Sequence, residues 1–455
     1  MELNGIVQSL RNKSILVTGS TGFLSKLFVE KLLRIQPNMK QLFLLLRPAD
    51  TSSATQRLHN DGVEEHGQGF DSFISKKVTP IFGDISLVNL GIEDFVLKEK
   101  MHKELDIVAN FAETTSFDER YDVALDVNTM GAKHVLDFTE KCENLEMILH
   151  LSTAYIYTGQ IPGIILEKPF DISETMKETS KFLDIEEERK LVQERLNELK
   201  AAQVSKKQET TAMKELGLER AKLYGWPNTY VFTKAMGEMI LNRFKRSFPV
   251  VIARPTLVSS TYREPFPGWI EGFKTFDPVV ISLGKGKIPC FLLDHESLVD
   301  IIPGDRVVNA VIVAMMNHYI YHMGSSAHTE PMNGIRVLEH AYDYFIENPW
   351  MGKDENTVKI DMLVILPTMA SFRQHIYDNY VVPMKERKIG FVKRFVELYE
   401  PYVLFKRIMS VKAKESEEAD MFDFDPKCIK WKDYFTNIHI PDVIKYVVEG
   451  LNGKN

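Results

Sequence analysis

The sequence predicts an α/β fold with a parallel, doubly wound sheet, continued by a mostly helical C-terminal part. Three observations carry this reading. Short apolar runs recur through the first 150 residues, each followed by a stretch with helical spacing. A pair of glycines directly follows the first run. Beyond Met315 the alternation fades, and amphipathic segments rich in aromatic and basic residues take over.

The apolar runs Ser14–Thr18, Leu42–Leu46, Val78–Phe82, Ile107–Ala109 and Met147–Leu151 read as strands. They lack the alternation of a half-exposed sheet, so helices must cover both faces. Phe23 to Ile35 and Asp122 to about Glu143 supply such helices. From Ile185 to Lys222 the chain is rich in Glu, Lys and Arg and nearly free of glycine, which predicts a charged helical insertion standing off the sheet. Strand character returns at Val250–Ala253 and, less regularly, at Val279–Leu283. Met369–Asn379 and Gly390–Ile408 read as amphipathic helices, and Glu415–Glu418 as an acidic loop. The expected division is residues 1–315, with the insertion at about 185–222, and residues 316–455.

Composition narrows the function. Hydrophobic residues make up 44% and charged residues 26% of the 455, enough apolar chain for a sizeable core. The net charge of −7 gives no general pull toward nucleic acid, so an anionic ligand needs a local basic patch. Cys142, Cys290 and Cys428 form no CxxC pair, which argues against a disulfide framework or a metal centre and for a reducing compartment. No run approaches the ~18 apolar residues of a spanning helix. The start Met1–Asn4 lacks the basic or Arg/Ser-rich character of targeting peptides. A cytoplasmic protein is expected, with peripheral attachment to a cytosol-facing membrane such as the endoplasmic reticulum compatible with the sequence.

Thr18-Gly19-Ser20-Thr21-Gly22-Phe23-Leu24-Ser25 sits between the first strand and the first helix. Gly19 permits a tight turn and Gly22 lets backbone approach a pyrophosphate, which the N-terminus of the helix would receive. The spacing is GxxGxxS, with Ser25 at the position that governs helix–strand packing. These placements make residues 1–315 an extended Rossmann domain and Thr18, Gly19, Thr21, Gly22, Phe23 and Leu24 candidate cofactor contacts. The second strand ends in Arg47, where NAD-preferring domains carry an acid; arginine suits the 2′-phosphate of NADP. Arg57 is a second candidate for that phosphate. Asp84 and Ile85 follow the third strand on the adenine side, and Asn110 ends the fourth beside the middle of the cofactor.

Tyr230 and Lys234 form a YxxxK pair, one helical turn apart on one face. A lysine ammonium favours a neighbouring phenolate, and such a tyrosine can exchange a proton with a substrate oxygen as hydride is transferred. Lys234 can also bond the nicotinamide ribose. A second copy, Tyr402 with Lys406, lies in the C-terminal part and is read as coincidence. Ser152 and Thr153 follow the fifth strand, at the sheet edge where open α/β sheets bind ligands. Thr153 is then the second donor to the reacting carbonyl oxygen, with Ser152 beside it. Glycine turn, hydroxyl pair and YxxxK stand in the order of short-chain dehydrogenase/reductases, and Asn128 matches the superfamily's helix-kinking asparagine.

Several segments together resemble fatty acyl-CoA reductases of the plant, male-sterility type. They are Val17–Leu24, Leu44–Arg47, Phe117–Asp122, His150–Tyr155, Tyr230–Ala235, Pro303–Ala310, Phe422–Lys427 and Trp431–Phe435. The resemblance implies NADPH as cofactor, a long-chain fatty acyl-CoA as substrate, and reduction through an aldehyde to a primary alcohol with release of CoA. It requires no cysteine nucleophile. Trp269, Phe273 and Phe276 are candidates to line the acyl channel, and the amphipathic Phe391–Lys412 segment could rest on a membrane. The chain departs from the family pattern at Ser25, at Glu113, where the pattern has a small residue beside the cofactor, and in a shorter stretch near Met384–Lys388 and before Met421. Other outcomes therefore stay open: a reductase that stops at the aldehyde, a non-catalytic or weakly active NADP-binding protein, or the same fold on another substrate such as a sugar nucleotide.

Overall fold

The computed structural model describes residues 4–47, 76–158, 163–170, 175–176, 182–244, 249–315, 320–325, 332–352, 356–381, 400, 407–409 and 422–449. Seven parallel strands form the central sheet: β1 (Ser14–Thr18), β2 (Gln41–Leu46), β3 (Val78–Phe82), β4 (Ile107–Asn110), β5 (Met147–Leu151), β6 (Val250–Pro255) and β7 (Ile320–Met323). Their order is β7-β6-β5-β4-β1-β2-β3, so the direction of winding reverses between β1 and β4. That reversal opens a crevice at the carboxyl ends of those two strands. β1, β4 and β5 are buried along their whole length, as their unalternating apolar sequences require.

Helices cover both faces. On one lie α1 (Phe23–Ile35) and the later helix Gly304–Ala314, packing Leu27, Leu32, Val307 and Val311 against Val17 and Leu149. On the other lies α2, continuous through Tyr121–Ala124, a π-helical turn at Leu125–Met130 and Gly131–Thr139. The insertion is two helices, α3 (Ile185–Ala201) and α4 (Lys206–Leu223), the second started by a Ser205/Gln208 capping box. It clears the sheet but is not a free-standing arm. Glu188, 1% exposed, accepts from the Tyr121 hydroxyl at 2.7 Å and pairs with Arg220, so charged residues of the insertion are fastened into the core beneath α2. The insertion also abuts the next helix, α5 (Thr229–Phe244), closely enough that a side chain at Gly217 would meet Thr229 Oγ1 at 2.6 Å.

Val279–Leu283 is a correction. It lies in helix α6 (Asp277–Gly284), started by an Asp277-Pro278 pair and buried nearly all round. A short run that is apolar on every side carries no period, and proline at the first helical turn decides in favour of helix. The parallel sheet continues past residue 315 into β7, and one apolar cluster joins Phe232, Met236 and Phe276 to Phe345, Tyr434 and Phe435. A buried polar chain adds to this join. Tyr434 Oη donates to Ser259 Oγ at 2.7 Å, while His439 bonds Ser260 Oγ at 3.0 Å and Asp277 at 2.9 Å. The C-terminal segment thereby holds Ser259, Ser260 and Asp277, next to residues 255–258 and 273–275, which line one side of the crevice. No helix among the described residues is long and apolar enough to cross a membrane. Arg57, the Tyr402/Lys406 pair, Glu415–Glu418, Met384–Lys388 and most of Gly390–Lys412 lie outside the described residues.

Candidate active site

A cleft of about 880 Å³ opens at the carboxyl ends of the strands. Its lining unites the residues 19–25 turn, the β2 end at Arg47, Asp84 and Ile85, residues 111–117, Ser152 and Thr153, Tyr230, and the loop bearing Phe273 and Lys274. Gly19 adopts φ +64°, and a Cβ there would stand 2.6 Å from the Ala112 amide nitrogen. The turn is therefore pressed against the β4 loop with no room for a side chain. Ser20 Oγ donates to Val17 C=O at 2.8 Å, and Ser25 Oγ lies 2.6 Å from Gly19 C=O and 2.8 Å from Gly22 C=O. Serine at position 25 thus braces the turn from below. Gly22 caps α1 without a side-chain bond, leaving the N–H groups of the first turn facing the cleft. A bare glycine cradle at a helix N-terminus fits a dinucleotide pyrophosphate.

Thr18, Asn110 and Lys234, expected at the cofactor, do not line the cleft. Thr18 and Asn110 are strand-end partners in the sheet. Thr18 Oγ1 donates to Asn110 Oδ1 at 2.6 Å, and Asn110 Nδ2 meets His150 Nδ1 at 3.0 Å. This buried polar row supports the floor. Burial, helped by the nearby Lys234 charge, holds the His150 imidazole well below the usual histidine range, hence neutral. Lys234 is fully buried, donating to Leu151 C=O at 2.6 Å and pairing with the Glu113 carboxylate at 3.2 Å.

Tyr230 does reach the cleft, from the first turn of α5. Asn228 caps that helix by accepting from the Val231 amide at 3.1 Å, and Trp226 Nε1 donates to Ile156 C=O at 2.8 Å just before it. Asn128 occupies the π-helical turn of α2 and donates to Thr114 C=O at 3.1 Å and Thr233 Oγ1 at 3.0 Å. The two helices meet so closely that a Cβ at Gly237 would stand 2.4 Å from Asn128 C=O. Ser152 Oγ is a buried hydroxyl with no partner among the described residues, and Thr153 Oγ1 accepts from the Tyr155 amide at 3.3 Å, keeping its own proton to donate. Of the three aromatics expected at the acyl channel, Phe273 lines the cleft. Trp269 packs on Phe23 and Phe266, and Phe276 on Phe435 and His439. Cys290 is fully buried outside the cleft, and burial pushes its thiol up to about 11, so it holds no thiolate near neutral pH.

Lys274 went unread in the sequence. Its ammonium stands 4.2 Å from the centre of the Phe23 ring, at the start of α1. A lone lysine in an aromatic loop gives no pattern. The Lys26–Glu271 pair at 2.6 Å, the pairs of Lys31 and Arg34 with Glu264, and the edge contact of Phe23 with Trp269 bring that loop against α1.

Residues 17–311 match the family model described as male sterility protein, an NAD-binding family. The chain is 46% identical to the probable fatty acyl-CoA reductase 5 of Arabidopsis thaliana, covering 99% of this chain and 100% of that one. It belongs to the fatty acyl-CoA reductase family. It is also 43% identical to the alcohol-forming fatty acyl-CoA reductase of Simmondsia chinensis, over 98% of this chain and 99% of that one. The alignment to the Arabidopsis relative runs to 498 positions against 455 residues here, so that relative carries segments without counterpart in this reductase. Among solved structures, the terminal R domain of the myxalamid pathway superposes with a TM-score of 0.58 at 15% identity, covering 97% of this chain and 92% of that one. The R domain of a Mycobacterium tuberculosis non-ribosomal peptide synthetase gives 0.57 at 17%, covering 99% and 98%. Both share the fold, the extended form of the Rossmann architecture.

Proposed function

We propose that this reductase converts a long-chain fatty acyl-CoA to a primary alcohol in two reductive steps through an aldehyde, with NADPH as the donor and CoA released after the first. The observation that carries the reading is the shared cleft: the glycine cradle and the hydroxyls of Ser152, Thr153 and Tyr230 line one space at the switch point of the sheet. The bound dinucleotide supplies hydride. The turn with Thr21, Gly22, Phe23 and Leu24 receives the pyrophosphate, and Asp84 and Ile85 flank the adenine.

In the first step Tyr230 and Thr153 hydrogen-bond the acyl oxygen as it gains charge, and the carbonyl re-forms as CoA leaves as its thiolate. In the second, Tyr230 Oη gives its proton to the oxygen of the aldehyde. Lys234 acts from behind this wall, through Glu113 and the Leu151 carbonyl. Incubated with NADPH and palmitoyl- or stearoyl-CoA, the protein should release one free CoA and one primary alcohol for two NADPH oxidised. Aldehyde as the sole product would remove the second step, and no NADPH oxidation would remove both.

Arg47 at the end of β2 is the residue to receive the 2′-phosphate. Arg47→Ala should raise the KM for NADPH by about 10- to 100-fold, a charge-assisted bond contributing about 1.5–3 kcal/mol, with little change for NADH. Equal losses for both cofactors would assign the phosphate elsewhere. Lys274 adds a cation beside the helix terminus. Burial, with a further push from Lys26, lowers its ammonium to about 8, against the opposing pull of Asp277 and Glu271. The charged form binds an anion and is lost as pH rises through that value. NADPH affinity should therefore fall above about pH 8, approaching tenfold per unit, and the fall should vanish in Lys274→Met. A pH-independent dissociation constant in the native protein would exclude Lys274 from the anion site.

A further inference from the structure

One carboxylate oxygen stands between the two groups that YxxxK chemistry couples. Glu113 Oε2 lies 3.2 Å from Lys234 Nζ and 3.4 Å from Tyr230 Oη. The ammonium is fully buried, the Glu113 side chain 18% exposed, and Glu113 lines the cleft. Glu113 arrives on the loop after β4, the same loop whose backbone at Ala112 abuts Gly19, so its position follows from the closeness of the β1 and β4 turns. An ammonium beside a phenol favours the phenolate. A carboxylate accepting the phenol's hydrogen bond favours the O–H form, because a phenolate has no proton to give it and would repel it.

We propose that Glu113 is a positioning residue that neutralises the Lys234 ammonium and keeps the Tyr230 phenol protonated, so that this site gives a proton in preference to taking one. The inference rests on the reading of Tyr230 as the proton donor. Reduction of an aldehyde needs that form: hydride arrives at the carbonyl carbon, the π pair moves to oxygen, the Tyr230 proton joins that oxygen, and solvent restores the phenol. Oxidation of the alcohol needs the phenolate. The bridging carboxylate thus biases the site toward reduction.

Other groups around the phenol do not replace Glu113. From its own helix comes Lys234. From the loop after β4 come Glu119, which accepts from Thr114 Oγ1 at 3.3 Å, and the Phe117 ring, 6.2 Å from the Tyr230 ring. The end of β5 offers the neutral Ser152, Thr153 and Tyr155, and below them His150, held neutral by burial. From the far wall Lys274 adds a cation, which also favours phenolate.

The test reads the phenol directly. Tyrosinate absorbance is titrated on the cofactor-free protein, and subtraction of the same titration on Tyr230→Phe isolates this residue. Glu113→Gln, which keeps the size of the side chain, and Glu113→Ala should both move the Tyr230 midpoint acid by about 1–3 pH units. Glu113→Asp should restore it. In turnover, the alkaline limb of aldehyde reduction should move acid by the same interval in Glu113→Gln, and oxidation of a long-chain alcohol with NADP⁺ near neutral pH should rise about tenfold or more. Unchanged titration in both Gln and Ala variants overturns the proposal even if both remain active. Failure of the reductase reading would show separately, as a wild-type protein without NADPH turnover whose tyrosinate titration is still readable.

Discussion

Tyr230→Phe should lower aldehyde reduction by about 10²- to 10⁴-fold, the range for loss of a positioned general acid. Thioester reduction should fall less, by about 10²- to 10³-fold, because it loses one of two oxyanion donors and Thr153 remains. The expected sign of this asymmetry is a change of product. The variant, given enough enzyme to turn over acyl-CoA, should accumulate aldehyde that the native protein does not release. Binding of NADPH and the melting midpoint should stay near native values. Phenylalanine keeps the buried ring packed 6.2 Å from Phe117 and removes the long hydrogen bond of 3.4 Å to Glu113, whose carboxylate still has Lys234. The measurement is chromatographic analysis of aldehyde and alcohol alongside NADPH oxidation. Undiminished alcohol formation by Tyr230→Phe would remove Tyr230 from the chemistry.

The parts of the molecule legible in the sequence are those that local physics dictates. Six of the seven strands were readable because parallel strands covered by helices are apolar without alternation. Gly19 was readable because its φ of +64° admits little else, and Gly22 because the backbone of the turn comes close to it at Gly19 C=O. Glycine turn, hydroxyl pair and Tyr230 meet in one cleft because all three end at the carboxyl edge of one sheet. What stayed hidden depends on tertiary contact. β7 has only four residues, two of them Tyr321 and His322, and becomes a strand by pairing with β6. Charged residues in α3 and α4 suggested a solvated face, yet Glu188 and Arg220 satisfy each other against Tyr121 and so can be covered. Thr18 and Asn110 end two neighbouring strands that lead to the cleft, but they point their polar atoms at one another beneath it. Lys274 and Glu113 owe their roles to loop paths. Their places are set by pairs such as Lys26–Glu271 and by the Gly19–Ala112 contact, which no spacing encodes.

Gly19→Ala should abolish measurable NADPH binding and cost the fold several kcal/mol, the heaviest penalty for the smallest change in the cleft. Two effects combine. The left-handed backbone at φ +64° costs a non-glycine residue about 1–2 kcal/mol. The added methyl would also lie 2.6 Å from Ala112 N, 2.7 Å from Ala112 Cα and 2.7 Å from the Phe111 carbonyl carbon, all backbone atoms with no rotamer to yield. Relief must come from shifting the turn or the β4 loop, and either movement displaces the helix N-terminus, Glu113 or both. Gly272→Ala separates the two effects. Its φ is +68° but nothing lies within 4 Å of the new Cβ, so it should lose about 1–2 kcal/mol in denaturant unfolding and retain cofactor affinity. Gly22→Ala is intermediate. Its φ of −76° is unstrained, and its methyl would stand 3.1 Å from Gly19 C=O, so the protein should stay near native stability while NADPH binds about tenfold more weakly. Cofactor titration and urea unfolding on the three variants give the ordering. If Gly19→Ala binds NADPH as the native protein does, the close contact of the β1 and β4 turns is not what builds the cradle.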